Sequence, residues 1–262
     1  LHDALPILKN HYPERYKHVW RFFDLADFLV WKATTADVAS ICTLTCKWNY
    51  LAHQGHFSES LLADVGLDEL LEKVPQTISA LGESAGCLTT SVAEAFGLHT
   101  GVIVASGIID AHAGGLALTA SQPEGSLAII SGTSNCHMIV SQYPIMVPGV
   151  WGPYFGAMLP ELWLNEGGQS AAGALVEWSI RRHESWADLE QEAKEKGVSY
   201  YTLLNQAVAE LEENEPYPTA QFHVLADHHG NRSPRANPAA KGMVSGLTLE
   251  SGRVALARYY LA

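Results

Sequence analysis

The sequence has no long apolar run. No stretch approaches the ~18 consecutive apolar residues that a bilayer-spanning helix needs. No basic segment leads into a short apolar stretch, so no secretory signal is visible. Cysteine is scarce: Cys42, Cys46, Cys87 and Cys136 are the only four in 262 residues, too few for a disulfide framework. No second Cys or His pair stands at zinc-ligand spacing to join Cys42 and Cys46, so the four read as reduced, buried thiols of a cytosolic protein. Positive charge is scarce as well. Sixteen Lys and Arg face 28 Asp and Glu, for a formal net charge of -12. That disfavours nucleic acid or an anionic membrane as partner, both of which need a positive field. It leaves room for a nucleotide site, where backbone amides and helix ends do the binding. Internal repeats, low-complexity tracts and a Gly-Lys-Ser/Thr Walker loop are absent too.

What is present is ordinary for a globular enzyme: 47% hydrophobic residues, with length for one large domain or two modest ones. The pattern predicts helices over 14–33, 58–72, 92–96 (closed by Gly97), 111–120, 168–182, 200–211 and 250–261. Residues 36–47 read as helix or irregular backbone. Strands are predicted at Val102-Ile103-Val104, which reads as buried, at Leu127–Ile130 with a hairpin partner at Cys136–Val140, and at Phe222–Leu225. Helices first, then strands mixed with helices, suggest two α/β pieces with a boundary near 117–125. Leu1–Pro6 fit no pattern, and both ends read as cuts rather than natural boundaries.

Several residues could carry chemistry. Asp110 follows a strand and opens a helix. Asp in that place reads first as an N-cap, and the helix dipole favours its negative charge, a state that also suits a general base. His112, two residues on, reads as a packed or hydrogen-bonded histidine rather than a metal ligand. Gly132-Thr133-Ser134 is a glycine and hydroxyl turn that can hold phosphate or simply join two strands. Asn165-Glu166-Gly167-Gly168-Gln169-Ser170 is expected to open the helix through Arg182, and its free amides suit an anion or a sugar. There Glu166 either accepts hydrogen bonds from sugar hydroxyls or caps the helix. Lys47, flanked by Cys46 and Trp48, either snorkels or binds. Asp227-His228-His229-Gly230-Asn231-Arg232-Ser233-Pro234 reads as a solvated loop without metal-ligand spacing.

Together these pieces resemble the FGGY family of carbohydrate kinases. The resemblance runs from about Ile7 to the C-terminus and rests on Cys46-Lys47-Trp48, Gly107 to Gly115, Ser131 to Met138, Trp151-Gly152-Pro153-Tyr154-Phe155, Leu164 to Gly173 and Gly230 to Pro234, in that order. It implies an α/β actin/hexokinase-like ATPase (ribonuclease H-like) fold of two domains, both incomplete. Residues 1–120 would be the C-terminal part of the sugar-binding domain, and 121–262 the N-terminal part of the ATP-binding domain. The resemblance implies Asp110 as general base, Lys47, Asp110 and Glu166 as sugar contacts, and Gly132, Thr133, Ser134, Gly168 and Gln169 on the nucleotide side. ATP and Mg²⁺ are the expected cofactors, with no Mg²⁺ ligand in sight. Missing are the family's opening strand–Asp–Gly–Thr loop and its adenosine-binding Gly-rich segment, so the isolated chain is expected to phosphorylate nothing.

The strings Asp110-Ala111-His112 and Gly132-Thr133-Ser134-Asn135-Cys136-His137-Met138 look ribulokinase-like. Leu164-Asn165-Glu166-Gly167-Gly168-Gln169-Ser170 with Gly230-Asn231-Arg232-Ser233-Pro234 looks most like the D-ribulose kinase branch. The resemblance thus implies phosphorylation of D-ribulose to D-ribulose 5-phosphate by a cytoplasmic enzyme, compatible with a homodimer. L-ribulokinase, or another polyol or ketose kinase of the family, is the near alternative. A non-catalytic sugar- or nucleotide-binding protein on the same fold is the alternative of another class.

Overall fold

The structure, a computed structural model, describes residues 4–262; Leu1–Asp3 lie outside the described residues. It divides into two compact units, Leu1–Ile130 with His137–Glu166, and Ser131–Cys136 with Gly167–Ala262.

The first unit holds α1 (Ala4–His11), α2 (Pro13–His18), α3 (Leu25–Thr34), α4 (Ile41–Trp48), α5 (Glu59–Asp64), α6 (Thr90–Phe96) and α7 (Asp110–Thr119). Strand β1 (Val38–Ser40) runs parallel to β4 (Thr77–Ser79). Two short antiparallel pairs accompany it, β2 (Tyr50–Leu51) with β3 (His56–Phe57), and β5 (Ser84–Cys87) with β6 (Ile103–Ala105). Strands β7 (Leu127–Ser131), β8 (Asn135–Ser141), β9 (Trp151–Phe155) and β10 (Trp163–Gln169) form one sheet in the order β7-β8-β10-β9. Leu5, Tyr16, Leu44, Trp48, Leu62, Leu67 and Leu70 make the core under α4 and α5. Each such side chain contributes about 1.5–3 kcal/mol by leaving water.

The second unit is a helical cluster, α8 (Gly173–Arg181), α9 (Trp186–Lys196), α10 (Tyr200–Asn214) and α11 (Gly252–Leu261), with the hairpin of β11 (His223–Leu225) and β12 (Met243–Ser245). Ile180, Leu189, Leu203, Leu204 and Leu256 are its core. A cavity of about 480 Å³ in this unit is lined by Ser131, Asn135, Gln169, His228 and apolar side chains of α8, β11 and β12.

Local signals set most element ends. Ser40 caps α4 by accepting from the Cys42 N–H, and Asn49 ends that helix at φ 57. Gly97, at φ 66, closes α6 where a left-handed residue suits glycine. Three expected helices differ. The one over 14–33 is broken between α2 and α3, because the ammonium of Lys73 takes the carbonyls of Lys17 and Val19 and the Phe22 N–H donates to the Lys73 carbonyl. The one over 58–72 splits at Gly66, at φ 69, into α5 and a 3-10 helix. The helix expected from 168 begins at Gly173, because residues 163–169 are drawn into the sheet as β10. Ala4–Pro6, unassigned by pattern, lie in α1. The strand expected to be buried at 102–104 pairs only with β5 and leaves Ile103 exposed.

Helix α7 lies close on its neighbours. A Cβ on Gly115 would meet Met158 Sδ at 2.5 Å and Met138 at 3.3 Å, and both methionines are fully buried.

Asp27, on α3, anchors the start of α4. It is buried, and its carboxylate accepts from the Ser40 N–H at 2.8 Å and the Thr43 hydroxyl at 2.6 Å. Burial, the largest cause, pushes its pKa up to about 6, against the lowering effect of those two bonds. A carboxylate raised above its unfolded value of about 3.9 binds its proton more tightly when folded. Its stabilising contribution is therefore full below about pH 4 and lost as pH rises through about 6. Relative to Asp27→Asn, which does not ionise, the native protein is expected to lose roughly 2–3 kcal/mol between pH 4 and pH 7. Urea denaturation of both proteins at the two pH values measures this; an unchanged gap would remove the buried charge.

Candidate active site

The site is built from first-unit residues carried on three elements. Helix α4 carries Cys42, buried, then Cys46 one turn on, and exposed Lys47 in its last turn. Helix α7 begins at Asp110 and carries His112. Strand β10 carries Glu166, whose side chain is 15% exposed. A register shift between Leu164 and Glu166 against β9 turns the strand there, as bulges do where a side chain must be re-aimed.

Asp110 is not the N-cap. That position belongs to Ile109, and Asp110 is the first helical residue. Its Oδ1 accepts from the N–H of Ala111 at 2.8 Å, which still satisfies one amide at the helix start. The side chain is exposed and so remains open to a ligand.

His112 is 1% exposed, and both ring nitrogens have partners. Nδ1 lies 3.2 Å from Cys42 Sγ and 4.0 Å from Cys46 Sγ. Nε2 lies 3.3 Å from Glu166 Oε2. Burial pulls the imidazole pKa down, but the bonds and charges of Cys42 and Glu166 outweigh it and push it up to about 9. That direction favours the doubly protonated ring, which would donate to both partners. The Cys42 thiol is lowered, first by the hydrogen bond from Cys46 and then, against its own burial, by His112 and the Ile109 N–H. Cys46 moves the opposite way, because its proton is the one donated to Cys42. Tyr154, on β9, is pushed up to about 12 by burial first and then by the charges of Cys46 and Glu166. One buried polar network thus ties α4, α7 and β10 together.

The expected packed or hydrogen-bonded histidine is what His112 is. Its link to Cys42 and Glu166 was not legible from the sequence, because the partners lie 70 and 54 residues away. The short Asp-x-His spacing was the only signal.

Lys47, Asp110 and Glu166 all belong to the first unit, and Gly132, Thr133, Ser134, Gly168 and Gln169 to the second. Gly132 and Thr133 are exposed, with open space around the Gly132 Cα. The Gly132 N–H donates to the Ser134 carbonyl at 2.9 Å, so that amide is engaged within the turn. The Thr133 carbonyl accepts from Ala172 N–H. The residues flanking the turn, Ser131 and Asn135, line the 480 Å³ cavity, and Asn135 Oδ1 is buried there with no hydrogen-bond partner. Gly168 and Gln169 lie on β10, not at a helix start, so the expected anion-binding helix end is absent from them. Asp227 corrects the solvated loop: it is buried and accepts from Asn231 at 2.8 Å and Arg235 at 3.0 Å. Among the described residues no three His, Cys, Asp or Glu side chains converge to hold a metal ion. No helix among them is long and apolar enough to cross a membrane.

Comparison with known proteins gives a consistent picture. Residues 127–262 match the model of the FGGY family of carbohydrate kinases, C-terminal domain. An FGGY carbohydrate kinase domain-containing protein of Xenopus laevis is 44% identical over 92% of this chain and 47% of its own length. A D-ribulokinase of Saccharomyces cerevisiae is 32% identical over 97% of this chain and 41% of its own. The chain therefore spans about half the length of the curated relatives it matches. Xylulose kinase from Rhodospirillum rubrum superposes with a TM-score of 0.77 at 22% identity, over 98% of this chain and 48% of that one. That likeness shows a shared α/β fold, the actin/hexokinase-like ATPase fold.

The thiols test the burial of the network. Cys87 is exposed, whereas Cys42 is fully buried. Alkylation of the native chain with iodoacetamide is expected to label Cys87 first and Cys42 only on denaturation, since access outweighs thiolate character. Peptide mass analysis reads the order; early labelling of Cys42 would mean that the network opens.

Proposed function

We propose that this chain, which belongs to the FGGY family of carbohydrate kinases, is the central part of an ATP-dependent ketose kinase acting on a pentulose, D-ribulose first. The observation that supports this reading most is the His112 bridge, which joins Glu166 to the helix that Asp110 opens. The identity with a D-ribulokinase over most of the chain supports the choice of sugar. In this reading residues 1–120 close the sugar-binding domain, 121–262 open the ATP-binding domain, and the enzyme is cytoplasmic.

The residues divide the work. Lys47 and Glu166 hold sugar hydroxyls, Lys47 as donor and Glu166 as acceptor. Asp110 orients the terminal hydroxyl and takes its proton as the new O–P bond forms. Because the transition state of phosphoryl transfer is loose, positioning matters more than strong basicity. ATP supplies the γ-phosphoryl group when bound. The hydroxyls of Thr133 and Ser134, with Gly168 and Gln169, serve the nucleotide side, and the cavity beside the turn is of the size small molecules occupy. Mg²⁺ is expected from the chemistry, but no ligand set for it is present among the described residues.

In the complete polypeptide, Asp110→Asn is expected to lower kcat by about 10²–10⁴-fold, the usual worth of a general base, with the sugar KM changed only a few-fold. A coupled ADP assay with D-ribulose, L-ribulose and D-xylulose measures this and ranks the sugars. Near-normal turnover in the variant would take Asp110 out of the chemistry. ADP formation from none of the three would exclude a pentulose kinase.

A further inference from the structure

We propose that His112 is a positioning residue for Glu166, gripping one carboxylate oxygen so that the other is presented to sugar hydroxyls, with Cys42 setting the orientation of the ring. This rests on the reading of Glu166 as a sugar contact.

A glutamate carboxylate has two oxygens and a soft terminal torsion, so an unrestrained Glu166 would sweep its charge over a range of directions. Its side chain is mostly buried, and Oε2 lies 3.3 Å from His112 Nε2. One oxygen is thus engaged by the ring, which narrows the directions open to the other. The ring in turn cannot rotate, because Nδ1 is held at 3.2 Å from Cys42 Sγ. Cys42 is held by the Ile109 N–H and by Cys46. The chain of constraint runs from the start of α7 through α4 and back through His112 to β10. The same logic orients metal-bound histidines, where the partner on one nitrogen fixes what the other nitrogen does.

The groups that face the ring are Cys42 and Cys46 from α4 and Glu166 from β10. Tyr154 on β9 and Lys47 at the end of α4 act on Cys46 or Glu166 rather than on the ring itself. A buried histidine in any role needs a partner on each nitrogen, but neutral partners would serve. Here a buried imidazole is placed against the one acidic side chain of β10.

The test uses the complete polypeptide with His112→Leu, His112→Gln, Glu166→Gln and the double variant His112→Leu/Glu166→Gln. His112→Leu is expected to raise the pentulose KM at least about ten-fold, with kcat and the ATP KM within a few-fold. His112→Gln, whose amide can donate near the Nε2 position, is expected to restore most of the loss. Adding His112→Leu to Glu166→Gln should raise KM no further, since residues acting through one another are not additive. Effects that multiply, or an unchanged KM in His112→Leu, overturn the proposal. Independently of turnover, nitrogen-15 NMR of the ring should show both nitrogens protonated at pH 7.5, with a titration midpoint that moves lower by about one pH unit in Glu166→Gln. An unmoved midpoint overturns it even if His112→Leu fails to fold. If the native enzyme phosphorylates no pentulose while the midpoint does move, the kinase reading falls and the grip on Glu166 stands.

Discussion

A buried imidazole with a partner on each nitrogen has almost no freedom, and the first unit is arranged around one. His112 meets Cys42 on one side and Glu166 on the other. Moving the ring would strand a thiol or a carboxylate in a low-dielectric interior, at about 1–3 kcal/mol for each lost partner. The relation of α4, α7 and β10 is therefore narrow. The packing of α7 adds a second restraint, on its approach to Met158 and Met138, since Gly115 leaves no room for a Cβ there. Asp27 adds a third restraint by holding the start of α4 through Ser40 and Thr43.

In the proposed function this arrangement separates holding from reacting. The residues that hold are buried and bonded: Asp27, Cys42 and His112. Lys47 and Asp110 are exposed at helix ends, and each sits close in sequence to a member of the network, the half-buried Cys46 and the buried His112 respectively. In the proposed function those exposed groups meet the sugar while the buried ones keep them in register. The positioned charge of a transferase site costs little reorganisation when it is set in advance by such a shell.

Much of the fold was legible because its causes are local. Gly97 ends α6, Asp110 opens α7, and Leu127–Ile130 pairs with the strand across the Gly132-Thr133-Ser134 turn. The misread elements share a different cause. Residues 14–33 hold apolar residues at helical spacing, yet Lys73, more than fifty positions away, takes the carbonyls that end α2. Residues 165–170 carry glycines and a carboxylate suited to a helix start. Of these, 165–169 are strand because β9 and β8 offer a ladder that no local pattern announces. Asp227 looked solvated although its partners Asn231 and Arg235 are near in sequence, because only the folded loop turns them onto it.

The sequence by itself determined the family and the candidate residues, because residue type, short spacing and motif order are properties of one dimension. It also bounded the partners, since a net charge of -12 needs no folding to be counted. Only the tertiary structure decided that His112 is buried with Cys42 and Glu166 as partners, that Glu166 stands on a strand, and that Gly132 spends its amide within its own turn. Hydrogen bonds and desolvation depend on distances between segments far apart in the chain, and those distances exist only once the chain has folded.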